Sequence, residues 1–172
     1  MSAAPEFSRP VVLDELGERE LVREIEADPQ ERAALAKRFG LVALGRLQAV
    51  VQLKWVQGRK LLKLSGTLEA DVEQACVVTL EPVHEHISEK LDILFERPAK
   101  GEAAAGHVVE VTSVEDAEPL PETELDIGEV VAEELALSLN PYPRKPDAAL
   151  GGGEPARGPS PFDALARLKR NN

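Results

Sequence analysis

The chain of 172 residues is long enough for one domain with a sizeable core and short for two. Hydrophobic residues make up 43%, charged residues 30% and aromatic residues 3%, with a net charge of −11, so we expect a soluble globular protein with an aliphatic core. The N-terminus lacks a basic stretch followed by an apolar run, no apolar stretch matches a membrane span, and one cysteine excludes an internal disulfide, so we expect a cytoplasmic protein without membrane contact.

The first half of the chain predicts one helix followed by strands. Residues 6–16 begin as an extended segment, and Asp28, Pro29 and Gly40 are typical start and stop residues of a helix over 28–39. Hydrophobic and polar residues then alternate, which indicates strands with one buried face. We predict four strands, over residues 41–55, 62–73, 74–80 and 83–96. The third is the short stretch QACVVTL, and turns are expected at VQGRK and EPV.

The second half predicts one more strand, a helix and a tail. HVVEVTS at residues 107–113 is typical of a short strand, and Asp126 with Glu129 predicts the start of a helix over 126–140 that Pro141 ends. Residues 151–160 are rich in Gly and Pro and predict a flexible linker, followed over 161–172 by a short, mobile, basic C-terminal helix. We therefore expect a single α+β domain over 1–150, in which an antiparallel β meander of four or more strands packs with two main helices.

Three segments, in this order, resemble the YceD family of large ribosomal RNA subunit accumulation proteins. They are CVVTLEPV at 76–83, LDIGEVVAEELALSLNPYPRKP at 125–146 and PFDALARLKR at 161–170. The resemblance implies a role in maintaining large-subunit rRNA levels, through rRNA processing or subunit assembly. It implies no enzymatic activity and no cofactor.

Cys76 lies close in sequence to His84 and His86, which raises the question of a metal or catalytic site. Many members of the family carry Cys-x-x-Cys at this point, a spacing that suits zinc, but here Thr79 stands in the place of the second cysteine. Both histidines fall on the outward face of their strand, and no third group is placed to orient a catalytic base. We therefore predict no metal and no catalytic residue, with Cys76 as a small strand residue and both histidines solvated.

Basic residues are the candidate contacts to RNA or a partner. Residues 40–65 carry five bases and no acid, so the negative net charge does not exclude a local RNA-binding surface. The same pattern is also typical of the solvated face of an antiparallel sheet. The candidates are Arg46, Lys54, Arg59, Lys60, Lys63, Arg144, Lys145, Arg167, Lys169 and Arg170.

Two functional interpretations stay open. In the first, a non-enzymatic factor contacts precursor large-subunit rRNA or an assembling ribosomal particle through these bases. In the second, the protein is an adaptor whose segment 101–140, with eleven acids and no lysine or arginine, engages a basic partner such as a ribosomal protein or a nuclease without direct RNA contact. A hydrolytic enzyme has no supporting group of residues in the sequence.

Overall fold

A computed structural model describes residues 5–97 and 117–148. The strands are β1 (Pro10–Val12), β2 (Leu21–Glu26), β3 (Ala43–Val56), β4 (Leu61–Ala75), β5 (Pro82–Glu96), β6 (Glu118–Pro119) and β7 (Glu124–Asp126), and the helices are α1 (Pro29–Phe39), α2 (Ile127–Ser138) and a short 3-10 helix (Leu13–Glu15). Strands β2 to β5 form an antiparallel meander, to which β6 adds in parallel beside β5. β1 and β7 pair as a separate antiparallel ribbon. The predicted α+β class is confirmed.

Both helices begin at the predicted capping residues. The Asp28 carboxylate accepts hydrogen bonds from the N–H groups of Gln30 and Glu31, and the Glu31 side chain accepts one from the N–H of Asp28, which completes a capping box. Gly40 ends α1 in the left-handed conformation, with φ of 67°. At α2 the Asp126 carboxylate accepts from two N–H groups of the first helical turn.

The hydrophobic core lies on one face of the sheet. Alternate residues of β3 and β4 are buried, as the sequence pattern predicts, and α1 and α2 pack against that face. The same core includes Phe7 from the N-terminal segment, Leu64 from β4 and Leu135 from α2, all fully shielded from solvent. The opposite face exposes mainly polar side chains, as expected for an antiparallel sheet with one solvated face.

One sequence prediction about strands is wrong, and three short strands, β2, β6 and β7, were not predicted. The stretch 74–80 is not a third strand, because β4 runs on to Ala75 and the following residues form the turn to β5. In that turn Cys76 donates its N–H to the carbonyl of Glu81 and accepts the N–H of Leu80 at its own carbonyl, so the chain folds back despite its β-branched residues.

Other predictions lie outside the described residues: the strand at 107–113, the linker at 151–160 and the C-terminal helix at 161–172. Of the helices within residues 5–97 and 117–148, none has the length and apolar character needed to cross a membrane.

Candidate nucleic-acid interface

Lys54 of β3 and Lys63 of β4 stand directly opposite each other in the antiparallel register. Their neighbours along the strands, Leu53, Trp55 and Leu64, are buried, so the two lysines project from the solvated face of the sheet. Like charges placed directly opposite on one sheet face repel each other. This pair therefore concentrates positive charge at the end of the sheet where β3 turns into β4.

The turn between β3 and β4 adds two more bases in a constrained backbone. Gln57, Gly58 and Arg59 all have positive φ, of 49°, 63° and 66°, a conformation that costs energy for a residue other than glycine. The Arg59 side chain donates from Nη2 to the carbonyl of Leu16 at 3.0 Å. Its guanidinium lies 5.3 Å from the ring centroid of Trp55, so its orientation is fixed by two contacts.

Arg97 joins this group, although the sequence analysis did not single it out. It follows the last residue of β5, its N–H bonds to the carbonyl of Lys60 at 3.0 Å, and its guanidinium lies 4.9 Å from the Trp55 ring centroid. The near-equal length of β4 and β5 could have revealed this proximity. When two such strands pair antiparallel across a short turn, the start of the first lies beside the end of the second. We call Lys54, Arg59, Lys60, Lys63 and Arg97 the basic end. Lys54 and Lys63 project from its solvated face, whereas Arg59 and Arg97 lie over Trp55, whose side chain is on the core-facing side.

Acidic residues from β5 partly neutralise the basic end. Lys63 Nζ lies 2.8 Å from Asp92 Oδ1, and Lys60 Nζ lies 3.3 Å from Glu96 Oε1. Both pairs are at least partly exposed, and such pairs are weak and easily exchanged for other partners. The stretch 40–65 is therefore free of acids in sequence but not in space, and five bases face two acids here.

Arg46 does not belong to this group. It precedes Lys54 by eight residues on the same strand, which separates the two by roughly 26 Å. Its guanidinium lies 3.6 Å from the Glu69 carboxylate, which also accepts a hydrogen bond from Gln48. The structure thus divides the five bases of the stretch 40–65 into a group of four and a separate ion pair.

The candidate bases near the C-terminus lie at the other end of the sheet. Lys145 Nζ lies 2.9 Å from Glu81 Oε2 beside the turn between β4 and β5, and Arg144 is exposed. Arg167, Lys169 and Arg170 lie outside the described residues.

Cys76 is buried in the turn between β4 and β5 rather than placed within a strand. The Thr79 side chain, together with backbone N–H groups of Lys145, Thr79 and Val78, stabilises the thiolate and lowers the pKa of the Cys76 thiol to about 6. The sulfur is thus shielded from solvent but surrounded by hydrogen-bond donors rather than by hydrocarbon alone.

Both histidines are exposed on the solvated face, as predicted, and each faces a carboxylate across the strands. His86 Nδ1 lies 2.7 Å from Asp71, and His84 Nδ1 lies 3.4 Å from Glu73. Among the residues that the structure describes, no group of three or more His, Cys, Asp or Glu side chains could hold a metal ion.

Comparison with known proteins places the chain in a family linked to ribosomal RNA. A family model described as "Large ribosomal RNA subunit accumulation protein YceD" matches residues 64–169. The match covers more than half of the chain, so the chain belongs to the YceD family. The family name links its members to accumulation of the large-subunit rRNA. No curated protein and no solved structure matches the chain.

Proposed function

We propose that this protein is a non-enzymatic, cytoplasmic factor that supports accumulation of the large-subunit rRNA by contacting precursor rRNA, or a particle that contains it, through the basic end. The observation that carries the proposal is the direct pairing of Lys54 with Lys63 on the solvated face. Two lysines whose backbone positions are fixed by the strand register at the end of a sheet suit the regular negative charge of an RNA backbone.

The arginines of the basic end support a phosphate contact. Arg59 and Arg97 both stack on Trp55, which restricts the motion of their guanidinium groups. A guanidinium that is oriented in advance loses less conformational entropy when it forms a bidentate bond to phosphate. The Lys63–Asp92 and Lys60–Glu96 pairs hold the lysines loosely, so phosphates can replace the carboxylates.

The absence of a proposed catalytic role follows from how the reactive groups of the described residues are used. The Nδ1 atoms of His84 and His86 face carboxylates, and the Cys76 thiol is surrounded by hydrogen-bond donors. The lowered pKa of Cys76 favours its thiolate, but the residue is fully buried, so a substrate could not reach the sulfur.

The test compares two double variants that remove the same amount of charge. Lys54→Gln with Lys63→Gln alters the basic end, whereas Arg46→Gln with Lys90→Gln removes two bases elsewhere on the solvated face. Binding to transcribed precursor large-subunit rRNA is measured over a range of salt concentrations, with circular dichroism to confirm folding. We expect the first variant to bind on the order of tenfold more weakly near 0.1 M salt and to lower the salt slope by about two, and the control to change neither. Equal losses for both pairs would show that binding follows net charge, and the proposal would then fail.

An acidic surface favours a second candidate function, that of an adaptor for a basic protein. Burial raises the pKa of Glu134 above its usual value, and the carboxylates of Glu118, Glu133 and Glu89 raise it further. A lysine- or arginine-rich partner would relieve this repulsion. In-cell crosslinking separates the candidates: RNA attached to the protein supports the first, and a ribosomal protein or nuclease attached in its place supports the second.

A further inference from the structure

The exposed ring of Tyr142 projects from a backbone that is held in place. The side chain, from the one tyrosine of the chain, is 75% exposed. The backbone N–H of Tyr142 donates to Asn140 Oδ1 at 2.9 Å, which forms a local turn. The flanking residues Pro141 and Pro143 each have a restricted φ. We call residues 140–145 the Tyr142 loop.

Hydrogen bonds to the end of β4 and to the turn that follows it hold the Tyr142 loop in place. The Pro143 carbonyl accepts the N–H of Val77 at 2.9 Å, and the Asn140 carbonyl accepts a hydrogen bond from Gln74 Nε2 at 3.0 Å. Pro143 itself is buried. A ring on an anchored loop requires little further ordering when a ligand binds, so more of the contact energy appears as affinity.

One apolar residue and two basic residues are tied to Tyr142 by sequence or by a backbone hydrogen bond to its loop. Val77 is about half exposed on the turn that bonds to Pro143. Arg144 is exposed two residues after Tyr142, and Lys145, which follows it, is held in a partly exposed ion pair with Glu81. An exposed aromatic ring with an arginine two residues away is a combination suited to an unpaired nucleotide, with the base stacked on the ring and the phosphate on the cation.

We propose that Tyr142 is a stacking platform for an unpaired base of single-stranded RNA and that Arg144 contacts the adjacent phosphate. The inference rests on the proposed function and adds a second contact far from the basic end. Ala75 follows Lys63 by twelve positions along β4, a distance of roughly 40 Å.

The test uses the full chain and fluorescence anisotropy with two labelled probes, a single-stranded RNA of about 20 nucleotides and the same strand annealed to its complement. We expect Tyr142→Ala to weaken single-strand binding roughly tenfold, with an unchanged salt slope because stacking releases no counterions. Binding to the duplex should not change. Tyr142→Phe keeps the ring and should bind like the parent. Leu137→Ala, which truncates a 79% exposed apolar side chain on α2, is the matched control.

The outcomes separate this inference from the proposed function. If Tyr142→Ala binds the single strand like the parent while Lys54→Gln with Lys63→Gln weakens binding, the stacking platform is refuted and the basic end stands. If the parent binds neither probe nor precursor rRNA, the proposed function fails and the platform fails with it. If Tyr142→Ala binds RNA normally but no longer co-sediments with precursor particles, Tyr142 contacts a protein and the inference is overturned.

Discussion

Leu135 on α2 offers a sharp test of how the helix packs. Its side chain is completely buried in the core, whereas Leu137, two residues further along the same helix, is 79% exposed. Leu135→Ala removes three carbon atoms from the core, about 2.4 kcal/mol at roughly 0.8 kcal/mol for each buried carbon, and the resulting cavity raises the cost toward about 5 kcal/mol. Leu137→Ala makes the same chemical change in solvent and should alter the free energy of unfolding by less than about 0.5 kcal/mol.

Urea unfolding, followed by circular dichroism, measures both free energies with the same m-value analysis. For a domain of this size, 1 kcal/mol corresponds to a shift of about 2–4 °C in Tm, so Leu135→Ala should lower the melting temperature by at least about 5 °C. Similar losses for the two variants would mean that α2 does not bury the side on which Leu135 lies. The assignment of the helix to the core would then be wrong.

Two further changes probe the start of α2 and the turn around Cys76. Gly128→Ala should destabilise the protein although alanine favours helices, because a Cβ there would lie 2.3 Å from the carbonyl oxygen of Phe7; a urea midpoint at or above that of the parent would contradict this packing. Because the pKa of the Cys76 thiol is lowered to about 6, the stabilisation that it contributes is complete above its unfolded-state pKa near 9 and is lost as the pH falls through 6. The free energy of unfolding of the parent should therefore rise between pH 6 and pH 9 relative to Cys76→Ser, and Thr79→Val should reduce that rise; parallel curves for parent and Cys76→Ser would refute the low pKa.

Features of the fold that depend on neighbouring residues were readable from the sequence. The capping box of α1 needs only Asp28 and Glu31, three residues apart, and the alternation of β3 needs only its own side chains. β2 was not readable because it is an edge strand with Arg23, Glu24 and Glu26 exposed, so its alternation is weak. The turn after Ala75 was misread because Val77, Val78 and Thr79 favour strands, and only long-range bonds such as Val77 to Pro143 reveal its bend.

In the candidate interface, too, local features could be read from the sequence and long-range contacts could not. The bases of residues 40–65 were visible in the sequence, but which of them meet depends on strand register. Register places Lys54 opposite Lys63, brings Asp92 and Glu96 of β5 close to the bases, and leaves Arg46 far away. Arg97 was missed because its contact with Trp55 joins positions more than forty residues apart.

The ribbon of β1 and β7 has a consequence for the order in which the protein is made. Val11 pairs with Leu125, and Phe7 packs into the same core as Leu135, so these N-terminal residues find their partners more than one hundred residues later in the chain. During synthesis the N-terminal segment therefore leaves the ribosome long before β7 and α2 exist. Such distant pairing slows folding, since a long loop must close before the contacts form. The meander of β2 to β5 can assemble as it is translated, but the N-terminal segment can dock only once α2 has emerged, so completion of the fold is tied to the late stages of translation.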